Sequence, residues 1–303
     1  MILGPTASGK TALALELTER LGGEIVSLDS RQVYCLMDIG TAKPTAQERA
    51  RAPHHGLDVV FPNETWTLAQ HQQLTYSAIA AVRSRGKLPI LVVGTGQYLR
   101  AVLEGWTVPA VPPQPELRAG LHREAEADGV EALHARLAMV DPAAARRIMS
   151  TDLRRIVRAL EVFEVTGRPI SEQQRSTPPP YEPLLIGLTM RRETLYRRAD
   201  ERAKSMVERG LIAEIEDLLN RGYDWSLPAM GSIGYAEFRP CFEARAPLHE
   251  CVQRLQLNTH RFIRHQYVWF RRFQSVSWLD VETQPALAQA VPLAQRWGVD
   301  NLE

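Results

Sequence analysis

The 303-residue chain is 45% hydrophobic, enough to bury one large core or a core interrupted by a smaller domain. Its 36 basic and 35 acidic residues leave a formal charge of +1, so any surface for nucleic acid must be a local patch rather than a global field. Cys35, Cys241 and Cys251 stand without C-x-x-C spacing, which argues against a zinc site or a disulfide frame, and no apolar run approaches the length of a membrane span. The expectation is a cytoplasmic protein with no membrane partner, and nothing demands more than a monomer.

The first hundred residues alternate apolar runs with helical stretches, the pattern of a parallel α/β sheet. Met1 to Leu3 leads into GPTASGKT, that is Gly4, Pro5, Thr6, Ala7, Ser8, Gly9, Lys10 and Thr11, and Thr11 to Leu21 then reads as a helix. Glycines let this loop curl so that several amides point at one anion, and the following helix adds its dipole. In such a G-x-x-x-x-G-K-[ST] loop the lysine reaches the outer phosphates and the hydroxyl after it ligates Mg²⁺, here Lys10 and Thr11. A chance match in a chain this long is on the order of one in a hundred. Only three residues precede Gly4, fewer than a usual strand of about five, so residues upstream of Met1 are expected to complete that strand.

Glu24 to Leu28 reads as a strand ending at Asp29, at the edge where α/β proteins place functional groups. An isolated aspartate there is more often a turn residue. Trp66 to Arg85 reads as a helix and Leu88 to Val93 (LPILVV) as a strand covered on both faces. GTGQY, Gly94 to Tyr98, ends it with glycines that permit close approach and with the Thr95 hydroxyl.

The Pro-rich segment Val108 to Pro115 breaks the pattern, and from Glu116 to Arg175 the period is helical. A second Pro-rich break, Thr177 to Pro183, precedes the apolar run Leu184 to Met190, a further strand. Helices are expected over Glu193 to Asn220 and Gln253 to Phe273, and no element is assigned from Asp280 onward. The predicted fold class is α/β, a P-loop NTPase-like parallel sheet core flanked by helices, with an all-helical insertion. The core spans residues 1–108 and 184–303, the insertion 109–183.

Two basic patches stand out. From Arg254 to Arg272 there are arginines and no acidic residue, with Arg261, Arg264, His265 and Arg272 on one helical stripe and Phe262, Gln266, Trp269 and Phe273 on another. Arg146, Arg147, Arg154, Arg155 and Arg158 form the second patch. A solvated Arg-rich face is the bland alternative for both.

Several motifs in order resemble the tRNA dimethylallyltransferases of bacterial type. They are GPTASGKT; D-S-x-Q-x-Y at Asp29, Ser30, Gln32 and Tyr34; GTAKP at Gly40 to Pro44; and His54, His55 and Asp58. DPAAARRI from Asp141, DLRRIVRALEV from Asp152 and Ile233 to Tyr235 complete the series. Val93, Gln97, His265 and Val268 stand where the family usually has other residues. The resemblance implies transfer of a dimethylallyl group from dimethylallyl diphosphate to the N6 amine of the adenosine 3′-adjacent to the anticodon of tRNA, with Mg²⁺ as cofactor.

By the same resemblance, Asp29 matches the family's general base, Thr95 contacts the adenosine region, and Lys10 with the loop holds the diphosphate. Arg202, better matched than Arg198, adds charge there. The anticodon stem-loop is expected to meet Asp29, Ser30, Arg31, Gln32, Thr95, Arg118, Arg154, Arg155, Arg158, Arg261 and Arg264. The rival readings are a prenyltransferase of free adenine nucleotides, a P-loop small-molecule kinase, and a non-catalytic nucleotide-binding RNA protein. The kinase explains the loop but not the motifs that follow it.

Overall fold

The computed structural model describes residues 1–301, with side chains to residue 298. Its contacts divide the chain into two compact units. One comprises residues 1–100 and the chain from Pro180 onward, and the other residues 101–179.

The first unit is built on a parallel sheet of six strands: β1 (Ile2–Leu3), β2 (Gly23–Leu28), β3 (His54–His55), β4 (Leu88–Val93), β5 (Leu185–Thr189) and β6 (Val276–Asp280). They lie in the order β3-β2-β4-β1-β5-β6. β1 is two residues long yet central, paired with β4 on one side and β5 on the other. The continuous apolar runs of β2, β4 and β5 follow from burial on both faces. Ile2, Ile25, Ile90, Ile186 and Leu279 pack with Leu13, Ala14 and Leu17 of the Lys10–Leu21 helix and with Ala290 and Val291 near the C-terminus. β3, β6 and the Ala286–Asn301 helix carry no clear sequence signal, and β3 and β6 extend the sheet on either side of the four strands that the apolar runs mark.

The Leu68–Ser84 helix begins where Thr67 and Gln70 form a capping box, each side chain accepting from the other's backbone amide. The helix expected over Glu193 to Asn220 is two, Arg192–Glu208 and Leu211–Asn220. They are separated by Gly210 at φ 100°, a left-handed conformation that ends one helix and re-aims the next. In the Leu248–Phe270 helix the buried face is Cys251, Leu255, Thr259, Ile263, Gln266 and Phe270. The core stripe therefore runs through Ile263 rather than Phe262, which is left exposed.

The second unit holds the helices Pro115–Asp128, Val130–Val140, Pro142–Arg147, Leu153–Thr166 and Ile170–Gln173 around Leu121, Leu133, Leu137, Ile156 and Leu160. It begins within the Gly96–Glu104 helix, ahead of the Pro-rich segment. The reason is that the entering and leaving chains pair there: Thr107 N donates to Arg175 O and Thr177 N to Gly105 O. Asp141 and Asp152, which open the two insertion motifs, are helix caps accepting from Ala144 N and Arg155 N. Asp141 also accepts from Ser171 N and Oγ.

Glu161 is fully buried and takes both Arg118 (2.7 Å) and Arg158 (2.6 Å). Burial alone would push its carboxyl up, but Arg118, the Gln114 amide and Arg158 hold it at about 2. The sign follows: a depressed carboxylate contributes its full stability above its unfolded value of about 4.3 and loses it as pH falls toward 2. Glu161→Gln is expected to destabilise the second unit by about 3 kcal/mol at pH 7 and by much less at pH 2. Thermal unfolding of both proteins at the two pH values checks this, and an equal deficit at both would exclude the ion pairs as its source.

Candidate active site

Strand register assembles the site. Leu3 is level with Val93 and Val93 with Leu28, so the residues that follow, Gly4, Gly94 and Asp29, leave three adjacent strands side by side. With strands about 4.8 Å apart, the Gly-rich loop after β1, the GTG turn after β4 and the carboxylate after β2 occupy one edge of the sheet.

The loop has the conformation an anion cradle needs. Gly9 sits at φ 97° as the residue before the Lys10–Leu21 helix, and Ala7 is left-handed at φ 65°, a strained position for a residue with a Cβ. A Cβ on Gly4 would lie 2.9 Å from both Leu188 O and Ser8 Oγ. The Ser8 hydroxyl is buried without a hydrogen-bond partner, which marks a group that a bound oxyanion would satisfy. Lys10 Nζ donates to Gly4 O (2.8 Å) and Pro5 O (2.9 Å), folding back along the loop. Burial first and the Arg202 guanidinium second bring its ammonium down to about 7, with Asp29 opposing them.

Asp29 spends one carboxylate oxygen on its own turn: Oδ1 accepts from Arg31 N (2.8 Å) and Gln32 N (3.4 Å). The other oxygen lies against Gly94, where an added Cβ would come within 2.0 Å of it. Gly94 is thus required by the carboxylate beside it, not by its own backbone angles. Thr95 Oγ1 accepts from Ser30 N (3.2 Å) and donates to Ser30 Oγ (3.3 Å), tying the two strand ends together.

Thr6, Asp29, Ser30, Arg31, Thr95 and Arg202 line one cavity of about 280 Å³. Apolar residues line it too: Ala203 and Met206 near Arg202, and Leu255 and Phe262 on the Leu248–Phe270 helix. Ile233 adds to that lining. Burial, then Arg209, lowers the Arg202 pKa from its ordinary value. Arg198 is not among the lining residues.

The other expected site residues divide. Gln32 turns inward, its amide accepting from Ser27 Oγ (2.9 Å) and donating to Ala42 O (3.1 Å), so it spans β2 and the GTAKP loop instead of facing the cavity. Arg261 and Arg264 are exposed, Arg261 donating to Asn258 Oδ1 and Arg264 to the Tyr196 hydroxyl. In the second unit Arg118 and Arg158 are committed to Glu161, while Arg154 and Arg155 are exposed, Arg155 within 3.4 Å of Asp152. The paired arginines owe their places to a buried acid that a charge count cannot see.

Several motif residues turn out to shape the cavity from behind. Lys43 of GTAKP is buried between Asp38 (2.8 Å) and Asp58 (2.6 Å). Glu214 accepts from the amides of Asp38, Ile39 and Gly40 and from the Tyr235 hydroxyl at 2.6 Å. Gly40 carries no side chain because a Cβ would meet the Tyr235 ring at 2.4 Å. Together these hold Gly40, Thr41 and Ala42 on the cavity wall.

A divalent cation at the loop finds one hydroxyl on the first helical turn, that of Thr11. Among the described residues no cluster of three His, Cys, Asp or Glu could hold a metal. The fit is therefore to an ion that takes most of its ligands from phosphate oxygens and water, as Mg²⁺ does beside a phosphorylated substrate.

The sequence model described as IPP transferase matches residues 32–273, and that described as isopentenyl transferase matches residues 1–52. A tRNA dimethylallyltransferase of Roseiflexus sp. (strain RS-1) is 52% identical over 296 residues, covering 98% of this chain and 97% of that one. The chain belongs to the IPP transferase family. The family member from Geobacter metallireducens, also named tRNA dimethylallyltransferase, is 47% identical over 283 residues, 92% of this chain and 91% of its own. Among solved structures, the full-length tRNA isopentenylpyrophosphate transferase of Bacillus halodurans is 39% identical with a TM-score of 0.67, covering 92% of this chain and 88% of its own. A eukaryotic dimethylallyltransferase acting on tRNA reaches a TM-score of 0.82 at 26% identity, covering 99% of this chain and 79% of its own. The IPP transferase fold seen in these relatives is the fold described above, a parallel sheet flanked by helices. No helix among the described residues is long and apolar enough to cross a membrane.

Proposed function

We propose that this IPP transferase moves a dimethylallyl group from dimethylallyl diphosphate to the N6 amine of the adenosine 3′-adjacent to the anticodon of a tRNA, releasing diphosphate. The observation that carries the reading is one cavity bordered by Thr6 of the anion loop, the Asp29 carboxylate, Thr95 and Arg202. Diphosphate sits in the loop, on the amides from Gly9 to Thr11 at the helix start, on Ser8 Oγ and on Lys10. Arg202 faces the charge that develops as the allylic C1–O bond breaks. The exocyclic amine is a weak nucleophile. As its N–C1 bond forms, the proton it sheds goes to the unengaged oxygen of Asp29. Thr95 and Ser30 border the position of the base, which must leave the stacked anticodon loop to enter a cavity of this kind. Thr11 would hold a Mg²⁺ ion, which would add positive charge to neutralise the leaving diphosphate.

Protein incubated with dimethylallyl diphosphate, Mg²⁺ and unmodified tRNA is expected to yield N6-prenylated adenosine, read by mass spectrometry of the digested nucleosides. Prenylation of free AMP with none on tRNA would transfer the activity to the nucleotide-modifying alternative, and phosphoryl transfer alone would make the protein a kinase.

The stem-loop is assigned to the exposed arginines, Arg261 and Arg264 on the first unit and Arg154 and Arg155 on the second. Each phosphate contact carries a salt dependence of about 0.9 or less in log–log slope. The double variant Arg261→Ala/Arg264→Ala is expected to weaken tRNA binding and reduce that slope by about 1–2, with dimethylallyl diphosphate affinity unchanged. Filter binding across a salt series checks it, and an unaltered slope would release these arginines from the interface.

A further inference from the structure

The Leu248–Phe270 helix carries an amide side chain into the core that its amphipathic pattern does not require. Gln266 is 3% exposed. Its Oε1 accepts from Thr6 N at 2.8 Å, and its Nε2 donates to Gly94 O at 2.8 Å. One amide thus joins the loop after β1 to the turn after β4, positions 260 and 172 residues away. Gly94 is the residue against which the free oxygen of Asp29 rests, and Thr95 beside it binds Ser30. A leucine would satisfy the helix's apolar face equally well. A buried amide with both ends paired implies a geometric demand on what it joins.

We infer that Gln266 is a positioning residue: it sets the separation between the diphosphate cradle and the Asp29 carboxylate, and so the distance over which nucleophile and leaving group must align. The inference rests on the function proposed above. Gln266 touches neither substrate group. The Thr6 amide it holds is withdrawn from phosphate binding, so the cradle itself remains complete without it. Its removal frees the two strand ends to shift relative to each other, and a displacement near 1 Å in such a site lowers turnover by about a hundredfold.

Two variants test this. Gln266→Leu removes both bonds at similar volume. It is expected to fold and to bind inorganic pyrophosphate within threefold of the parent protein by calorimetry, while kcat for tRNA prenylation falls by about tenfold to a hundredfold. Gln266→Glu distinguishes positioning from simple packing. When protonated, the introduced carboxyl accepts from Thr6 N and donates to Gly94 O as the amide does. When ionised, it repels Gly94 O. Burial raises the pKa of such a group, so the ratio of variant to parent kcat is expected to rise steadily from pH 8 to pH 5.5.

A ratio that stays flat across that range, or a folded Gln266→Leu protein with parental kcat, overturns the proposal. A loss of pyrophosphate affinity as large as the loss of kcat would make Gln266 a builder of the cradle and overturns it too, as would failure of both variants to fold, which would assign the residue to stability. Parental turnover on tRNA is the control: its absence counts against the proposed function, whereas parental turnover with unaltered variants counts against the tie.

Discussion

Asp29→Asn is expected to lower kcat for tRNA prenylation by about 10²- to 10⁴-fold while leaving pyrophosphate affinity within a few-fold of its starting value. The choice of asparagine matters. Asp29 has two separable roles, and only one of them needs a base. Its Oδ1 closes a turn by accepting from the Arg31 amide at 2.8 Å, and asparagine closes such turns as well as aspartate does. The second oxygen, at the Gly94 surface, becomes an amide nitrogen that can take no proton from an incoming amine. A turn residue would therefore tolerate the change and a general base would not. Single-turnover rates with tRNA, paired with calorimetry on pyrophosphate, separate the two. An Asp29→Asn protein that turns over at the parental rate would remove the carboxylate from the chemistry. Gly94→Ala approaches the same atom from the other side: its methyl would overlap the carboxylate, so it should slow turnover without touching the acid itself.

How much of this was legible in the chain depends on whether the information was local. The anion loop is a contiguous pattern with its helix attached. Asp29 stands out because it ends an apolar run. The strands β2, β4 and β5 announce themselves as unbroken apolar segments because both of their faces are covered. What brings Gly4, Asp29 and Gly94 abreast is strand order and register, and neither is written in any one segment.

Residues whose partners lie far away are illegible for the same reason. Gln266 shares a helical stripe with Phe262 and Trp269, and a glutamine at a core-facing helix position is itself a signal, since it must find partners there. Arg118 and Arg158 counted as open charge because Glu161 is 43 residues from the first; its i,i+3 spacing from the second was visible. Gln32 lay inside a motif full of cavity residues, and only the fold reveals that its amide faces the GTAKP loop. The break at Gly210 was also local, a glycine in mid-helix whose left-handed angle ends one helix and starts another.

Lys10→Met is expected to reduce kcat/KM for dimethylallyl diphosphate by about 10²- to 10³-fold, and the pH dependence of that loss carries the argument. In the ligand-free protein the Lys10 ammonium has been brought down to about 7 by burial and by Arg202, so near neutrality it is only partly charged. An arriving diphosphate reverses the balance, because two or three negative charges at the loop favour the protonated form. Binding should therefore take up a proton above pH 7, and affinity should weaken by up to tenfold per unit as pH rises beyond that value. Calorimetry at pH 8 in buffers of different ionisation enthalpy reads the uptake directly, and Lys10→Met should abolish it. Stability supplies an independent check of sign. A lysine whose pKa is lowered on folding leaves the unfolded chain holding more protons between about pH 7 and its ordinary value of 10.5, so the ligand-free protein should gain stability across that interval. Lys10→Met should be the more stable protein at pH 7 and lack that gain. If both proteins bind pyrophosphate without proton uptake and unfold in parallel across this range, the Lys10 pKa is not lowered on folding, and the side chain brings a full positive charge to the cradle before the diphosphate arrives.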